Sequence, residues 1–137
     1  MVLDASAAIE LLLNTPLART IAGHISDESI SLDAPHLIDV EITQAPRRYV
    51  NLGNISQEQR FKALGHWRDL NVERHPHEPY LTRVWQLRNN FSADDATYVV
   101  LAEVLGSPLL TADAKLAGAP GSNAHINHVS LDMRQSS

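Results

Sequence analysis

The sequence predicts a single α/β domain over residues 1–137, with a sheet of about five parallel strands flanked by helices. Its candidate strands are short and apolar on both faces, as strands are when helices cover both sides of a sheet. Helical segments separate these strands, which is the alternation typical of parallel sheets. The length suits one domain with a substantial core, and residues 133–137 are expected to be a frayed tail.

The first strand and helix lie at the N-terminus. Residues 1–3 form an apolar run that ends at Asp4, which predicts a buried strand, and residues 6–13 follow as a helix. Thr15 is predicted to cap a second helix, with Pro16 at its first position, where the missing N–H costs nothing. An apolar stripe of this second helix comprises Leu17, Ile21 and Ile25.

The middle of the chain contributes the next strands and helices. Residues 29–35 predict a second strand, followed by a helix over residues 36–50 in which Pro46 is expected to cause a bend or a break. Ser56 and Gln59 have the spacing of a capping box, and the helix they begin runs to about Leu70. Within that helix Phe61 and Leu64 are expected to face inward.

The last third of the chain repeats the pattern. Residues 71–75 predict a third strand, and residues 78–88 predict a helix. Ser92 is placed to cap the next helix, which is apolar nearly all round. Residues 107–113 and 126–131 predict the fourth and fifth strands.

Composition excludes several classes of function. The chain has no cysteine, which excludes disulfides, thiolate zinc sites and cysteine nucleophiles. No apolar run approaches the roughly 20 residues that span a bilayer, and the N-terminus lacks a basic leader. We therefore expect a cytoplasmic protein without a membrane partner.

The charge is unevenly distributed along the chain. The net charge of −5 combines −6 over residues 1–46, +4 over residues 47–88 and −3 over residues 89–137. Solvated helix faces account for most of the bases. A basic rim beside an acidic site, as a polyanionic substrate requires, is the alternative for the rest.

Four acidic residues lie at positions in the predicted strands and helices that suggest a shared site. Asp4 and Asp113 follow strands, Glu41 lies on a helix, and Asp95 lies at a helix start. Each has an ordinary alternative, because Asp4 and Asp113 fit helix caps, Glu41 fits an exposed helical turn, and acids favour helix N-termini. If the four converge, however, their mutual repulsion calls for a cation, and an all-oxygen site favours Mg²⁺ or Mn²⁺.

Three stretches carry a family resemblance that covers nearly the whole chain. They are VLDASAA, APHLIDVEITQAPRR and FSADDATYVVLAEVLGSPLLTADAKLAG. Together they resemble a PIN-domain ribonuclease, and more narrowly a VapC-type toxin of bacterial toxin–antitoxin modules. By this resemblance the catalytic acids are Asp4, Glu41, Asp95 and Asp113, of which Asp4 and Asp95 bind metal. Ser6 and Thr111 occupy supporting hydroxyl positions, while Pro46 departs from the family's pattern.

The resemblance also implies a reaction and partners. It implies endonucleolytic cleavage of RNA that depends on Mg²⁺, with Mn²⁺ as a substitute. It further implies a homodimer and an antitoxin protein that covers the site. The apolar stripe of the second helix is a candidate dimer surface or part of the core. Arg47 and Arg48 are candidates for RNA backbone contact, although a solvated helix end explains them equally well.

Two other functions stay open at this point. An aspartate-based phosphotransferase also uses an acid after the first strand, but it would usually have a second acid where Ser6 stands. A catalytically silent module that binds RNA or a partner would not need all four acids. The histidines of His75-Pro76-His77-Glu78 are interpreted as ordinary loop residues, because no third ligand is implied.

The pair Asp94-Asp95 raises the question of which aspartate serves the site. With Ser92 as the cap, Asp94 is the second and Asp95 the third helical residue, about 100° apart around the axis. One pocket is then expected to receive only one of them directly. The D-A-x-Y pattern of the resembled family selects Asp95 and leaves Asp94 to favour the helix dipole.

Overall fold

Five parallel strands form the central sheet of the computed structural model, which describes residues 1–51 and 55–131, with the side chains of residues 1–44 and 55–131. The strands are β1 (Val2–Leu3), β2 (Leu32–Pro35), β3 (Val72–His75), β4 (Leu109–Thr111) and β5 (Ile126–His128). Their spatial order is β3-β2-β1-β4-β5, and every pairing is parallel. The predicted fold class is therefore confirmed.

Seven α-helices connect the strands in the described part of the chain. They are α1 (Ala5–Leu12), α2 (Ala18–Ile25), α3 (Leu37–Asn51), α4 (Gln57–Asp69), α5 (Leu81–Gln86), α6 (Ala93–Leu105) and α7 (Ala114–Gly118). Helix α6 packs on β1, β2 and β4, whereas α1 packs on β4 and on helices α2, α3 and α4. Every residue of β1, β2 and β4 is buried, and neighbouring strand residues point to opposite faces, so helices or loops cover both faces of these strands.

The strand order fixes where a site can form. From β1 the chain proceeds outward through β2 and β3 on one side, and it returns to β4 and β5 on the other side. The order therefore reverses between β1 and β4, and the crevice beyond the carboxyl ends of these two strands is where open parallel sheets bind ligands. Asp4 follows β1 directly, and Asp113 lies two residues beyond β4.

Two predicted helix starts are confirmed by their caps. The Ser56 hydroxyl accepts from the Gln59 N–H at 3.1 Å, and the Gln59 side chain accepts from the Ser56 N–H at 2.8 Å, which completes the capping box. The Ser92 hydroxyl accepts from the Asp95 N–H at 3.1 Å. Asp94 and Asp95 are therefore the second and third residues of α6, as predicted.

The second helix begins later than its sequence suggests. Thr15 is not its cap, because α2 begins at Ala18 and the Thr15 hydroxyl instead accepts from the Leu17 N–H at 3.3 Å in the preceding turn. The apolar stripe of this helix packs into the core, where Ile21 is fully buried and Leu17 and Ile25 are partly buried. This stripe is therefore core rather than a free surface for a second copy.

Helix α4 contradicts one inward-facing prediction. Phe61 is 79% exposed, while Ala63 and Trp67, four residues apart, form the buried stripe of the helix. Phe61 precedes Ala63 by two positions and therefore projects about 200° away around the axis. Leu64 is partly buried against the core, as predicted.

Two further helices differ from expectation. The sequence predicts that Pro46 bends or breaks its helix. Helix α3 continues through Pro46 to Asn51, so the break is wrong. The segment predicted as one helix over residues 78–88 consists of a 3-10 turn, Glu78–Tyr80, followed by the short helix α5. The predicted frayed tail at residues 133–137 lies outside the described residues.

Candidate active site

A cavity of about 460 Å³ opens beyond the carboxyl ends of β1 and β4. All four acids predicted for the site line it, and so does Asp94. Its other lining residues are Ala5, Ser6, Ile9, Leu37, Val40, Gln44 and Tyr98. None of the described side chains that line this cavity is basic. The charge of Lys115, outside the lining, lowers the pKa of Asp95 but does not outweigh the effects that raise it.

Asp4 is the most buried of these acids, with 4% of its surface exposed. One carboxylate oxygen accepts from the Ser6 hydroxyl at 2.7 Å and from the Ala7 N–H at 2.9 Å, and the other accepts from the Thr111 hydroxyl at 2.5 Å. The Ala7 contact caps α1, so Asp4 has the structural role that sequence allowed as an alternative. Burial raises the pKa of Asp4 from 3.8 to about 6, although the Thr111 hydroxyl opposes that rise most strongly.

Ser6 and Thr111 connect the ends of β1 and β4 through side-chain contacts. Their hydroxyl oxygens lie 3.2 Å apart. The Ser6 hydroxyl accepts from the Ala112 N–H at 2.9 Å, and the Thr111 hydroxyl accepts from the Asp113 N–H at 3.0 Å. Both residues thus hold Asp4 while also fixing the backbone that carries Asp113.

Glu41 comes from α3 and is held by α6. The Tyr98 hydroxyl donates a short hydrogen bond to its carboxylate, across 57 positions of sequence. Burial raises the pKa of Glu41, the Tyr98 bond lowers it, and the charges of Asp94, Asp4 and Asp95 raise it. Tyr98 is itself buried, and burial together with the Glu41 contact raises its pKa, so its hydroxyl remains a donor.

The two neighbouring aspartates both reach the cavity, which contradicts the expectation that one pocket receives only one of them. The cavity is wide enough for both side chains. It extends from α3 to the loop after β4, so it borders the start of α6 on the side of Asp94 and on the side of Asp95. Asp95 is the more buried of the two. Burial is the main cause that raises the pKa of Asp95, and the nearby charge of Asp113 raises it further. The charge of Asp94 acts instead on Glu41. It raises the pKa of Glu41 more than the charges of Asp4 and Asp95 do.

Asp113 completes the cavity and also begins α7. Its carboxylate accepts from the Lys115 N–H at 2.9 Å, which is the helix-cap role that sequence allowed. The structure therefore brings Asp4, Glu41, Asp95 and Asp113 around one opening. Within the described residues, however, no three of these acids have carboxylate oxygens all within 4.8 Å of one another.

A tighter group of metal-ligating side chains lies elsewhere and was missed by sequence reasoning. Asp33, Glu73 and His75 offer atoms that all lie within 4.8 Å of one another. Their positions on paired strands explain the proximity, because Asp33 pairs with Glu73 in the sheet register. His75 Nε2 lies 2.9 Å from one Asp33 oxygen, and the other accepts from the Ser31 hydroxyl at 3.3 Å. Asp33 is thus already engaged by protein groups.

The two arginines predicted to contact RNA, Arg47 and Arg48, have side chains outside the described part of the chain. In the described residues, no helix is both long and apolar enough to cross a membrane.

Comparison with known proteins agrees with this fold. The sequence profile of the PIN domain family matches residues 1–121. The chain belongs to the PIN domain family. Ribonuclease VapC12 of Mycobacterium tuberculosis is 40% identical over 129 residues, covering 94% of this chain and 98% of the relative. Ribonuclease VapC1 of the same organism is 43% identical over 129 residues, covering 93% and 96%.

A solved structure resembles this PIN domain as well. The crystal structure of PAE2754 from Pyrobaculum aerophilum superposes with a TM-score of 0.58 at 25% identity, covering 85% of this chain and 82% of that one. The resemblance to PIN domains and VapC ribonucleases that the sequence suggests is therefore confirmed.

Proposed function

We propose that this protein is a metal-dependent endoribonuclease toxin that hydrolyses RNA phosphodiester bonds at its four-carboxylate cavity. The observation that carries the proposal is the convergence of Asp4, Glu41, Asp95 and Asp113, from four separate parts of the chain, on one opening. The ribonuclease names of the VapC relatives supply the reaction class.

The residues present fit a hard divalent cation. Five carboxylates line the cavity, and burial and mutual repulsion raise the pKa of Asp4, Glu41 and Asp95. A cation with a preference for oxygen ligands would relieve both effects, which supports Mg²⁺, with Mn²⁺ as a substitute. Asp4 and Asp95 are the residues that would hold it. When bound, such an ion activates water for attack and stabilises negative charge on the leaving oxygen.

The chain's own groups prepare this site. Ser6, Thr111 and the α1 N-terminus fix the Asp4 carboxylate in one orientation. Tyr98 occupies one oxygen of Glu41 and thereby directs the group toward the opening. Burial and the neighbouring acids raise the pKa of Glu41, which makes its carboxylate a better acceptor for a proton from water.

The test of the proposal is cleavage of total RNA by the purified protein, with mapping of the cut sites. We expect cuts in the presence of Mg²⁺ or Mn²⁺, none in excess chelator, and an increase in thermal stability on addition of Mn²⁺. A protein that neither gains stability with Mn²⁺ nor cuts RNA would instead be a catalytically silent module that binds RNA or a partner. Undiminished cutting in chelator would contradict the metal dependence.

The proposed partners are a cognate antitoxin that covers the cavity and a second copy of the chain. Both rest on kinship with VapC proteins, since the apolar stripe of α2 is core. We expect expression of the chain to stop growth and co-expression of the adjacent small protein to restore it. We expect light scattering to give the mass of a dimer at micromolar concentration. A toxic chain that no co-expressed small protein neutralises would contradict the proposed antitoxin. A monomeric mass would contradict the proposed dimer.

A further inference from the structure

An exposed tryptophan lies beside the candidate active site without a protein partner that accounts for it. Trp85 of α5 is 65% exposed, and Leu81 on the same helix is 54% exposed. They line an apolar hollow of about 240 Å³ together with Val84, Arg88 and Ala93. Ala93 is the first residue of α6, directly before Asp94 and Asp95 of the carboxylate cavity. The hollow and the cavity therefore flank the start of one helix.

Arg88 is held over the ring of this tryptophan. Its guanidinium carbon lies 4.2 Å from the centre of the Trp85 ring, and its Nη1 donates to the Trp85 carbonyl oxygen at 3.0 Å. Among the described residues, no ion pair includes Arg88, and no hydrogen bond satisfies the Trp85 indole N–H. A preorganised cation and an exposed ring are therefore presented together to the solvent.

The second tryptophan of the chain shows what completes such a pair. Trp67 is buried, and Arg74 lies 5.3 Å from its ring centre. There Asp39 accepts from the indole N–H at 2.7 Å and from two nitrogens of Arg74 at 2.7 and 2.9 Å. The carboxylate of Asp39 thus binds both members of the Trp67–Arg74 pair. The Trp85–Arg88 pair has the ring and the cation without such an anion among the described residues.

We propose that Trp85 and Arg88 form an RNA subsite, in which a base of the substrate stacks in the hollow and its phosphate contacts Arg88. The phosphate would take the role that Asp39 has at Trp67, and stacking on exposed aromatic rings is how proteins bind unpaired bases. This subsite rests on the proposed ribonuclease function. It supplies a cation for the substrate outside a cavity whose own charges repel phosphate.

The size of the surface favours a nucleotide over a second copy of the chain. A stable protein interface buries about 800 Å² on each partner and involves about 20–30 residues a side. The hollow has five lining residues, of which Leu81 and Trp85 are the exposed large apolar ones. Its basic rim at Arg88 complements a phosphate.

Tryptophan fluorescence tests the subsite without cleavage. An unstructured oligoribonucleotide of about 12 bases, within the usual span of single-strand sites, is titrated into the full chain in chelator. Trp67 is 3% exposed, so quenching by RNA reports on Trp85. We expect quenching in the wild type and none in Trp85→Phe. The anisotropy of a dye-labelled oligoribonucleotide, which needs no tryptophan, should show binding about 5- to 150-fold weaker in Trp85→Ala. Arg88→Ala should reduce the slope of log affinity against log salt by about 0.7.

Matched controls come from α4. Phe61 is 79% exposed and Arg68 is also exposed, so Phe61→Ala and Arg68→Ala remove an aromatic ring and a cation from another surface. Both should bind RNA as the wild type does. Unchanged affinity in Trp85→Ala, or unquenched fluorescence in RNA-saturated wild type, would overturn the subsite. A wild-type dimer that Trp85→Ala converts to a monomer would assign the hollow to a second copy and would also overturn it.

Failure of the subsite and failure of the proposed function are separable. If the chain is no ribonuclease, the wild type cuts no RNA with Mn²⁺, whatever the binding titration shows. If only the subsite is wrong, Trp85→Ala cuts with unchanged KM and kcat. We expect a raised KM for Trp85→Ala with kcat nearly unchanged, because the stacking contact lies away from the reacting phosphate.

Discussion

Replacing Asp4 by asparagine should make the metal-free protein more stable at neutral pH. The folded state raises the pKa of this buried carboxyl from 3.8 to about 6, chiefly through desolvation. The folded state therefore binds the proton more tightly than the unfolded chain does, and stability falls as pH rises from about 4 to about 6. Asparagine has no charge to bury and still caps helices well, so the variant escapes this loss.

The size of the effect follows from the pKa of Asp4. The difference between 3.8 and about 6 corresponds to about 3 kcal/mol of unfolding free energy. Asp4 is almost completely buried, so solvent does not screen this contribution away. The wild type and Asp4→Asn should thus have similar stability near pH 4 and differ by about 3 kcal/mol at pH 7, in favour of the variant.

Urea unfolding at several pH values, in chelator, measures this difference through the fluorescence of buried Trp67. The other acids contribute equally to the pH dependence of the unfolding free energy in both proteins, so their contributions cancel in the comparison. They include Asp39 and Glu103, whose lowered pKa values act in the opposite direction. Addition of Mn²⁺ at pH 7 should stabilise the wild type more than Asp4→Asn. Parallel curves for the two proteins from pH 4 to pH 7 would refute the reasoning.

Two further substitutions test contacts of α6. Tyr98→Phe should lower kcat about 10- to 100-fold, because it removes the bond that orients the Glu41 carboxylate, and loss of such outer-shell bonds has this effect at metal sites. It should also move the acidic limb of the cleavage profile to higher pH, because the Tyr98 bond lowers the pKa of Glu41; an unmoved limb would contradict this role. Arg83→Ala should destabilise the fold by about 1–3 kcal/mol, because Arg83 donates to both oxygens of Glu103 at 2.9 and 3.0 Å. Since Arg83 lowers the pKa of Glu103 from 4.5, this loss should be present near pH 7 and fade only as pH falls below 4.5 and through the lowered pKa, as urea unfolding would show. An equal loss above and below this range would contradict the pairing.

Sequence predicted the sheet because the central strands β1 and β4 are buried and largely apolar, and because residues with local turn or capping preferences mark where elements end and begin. Pro35 ends β2, and Ser56 and Ser92 begin their helices with bonds that depend only on residues three positions away. Such local chemistry is fully visible in a sequence. The outward orientation of Phe61 was not visible in the sequence. Helix α4 has apolar residues on more than one side, and only tertiary packing determines that Ala63 and Trp67 are buried.

The site was visible as four acids in suggestive contexts, but its supporting contacts were not. The Tyr98 bond to Glu41 joins residues 57 positions apart, and the contact between Ser6 and Thr111 joins residues 105 apart. Nothing in local spacing indicates either pair. The approach of Asp94 to the cavity was also missed, because an angle around one helix does not give the width of the opening beside it.

Cleavage by Asp95→Asn and Asp94→Asn, beside the wild type, tests the central claim most directly. Each removes one charge from the first turn of α6, so the two variants are matched in chemistry and helix position. With saturating Mn²⁺ and one RNA substrate, we predict that Asp95→Asn cuts no faster than the wild type in chelator and binds Mn²⁺ more weakly. Asp94→Asn should stay within about fivefold of the wild-type rate, the effect of about 1 kcal/mol. An active Asp95→Asn beside an inactive Asp94→Asn would contradict the proposed ligand set.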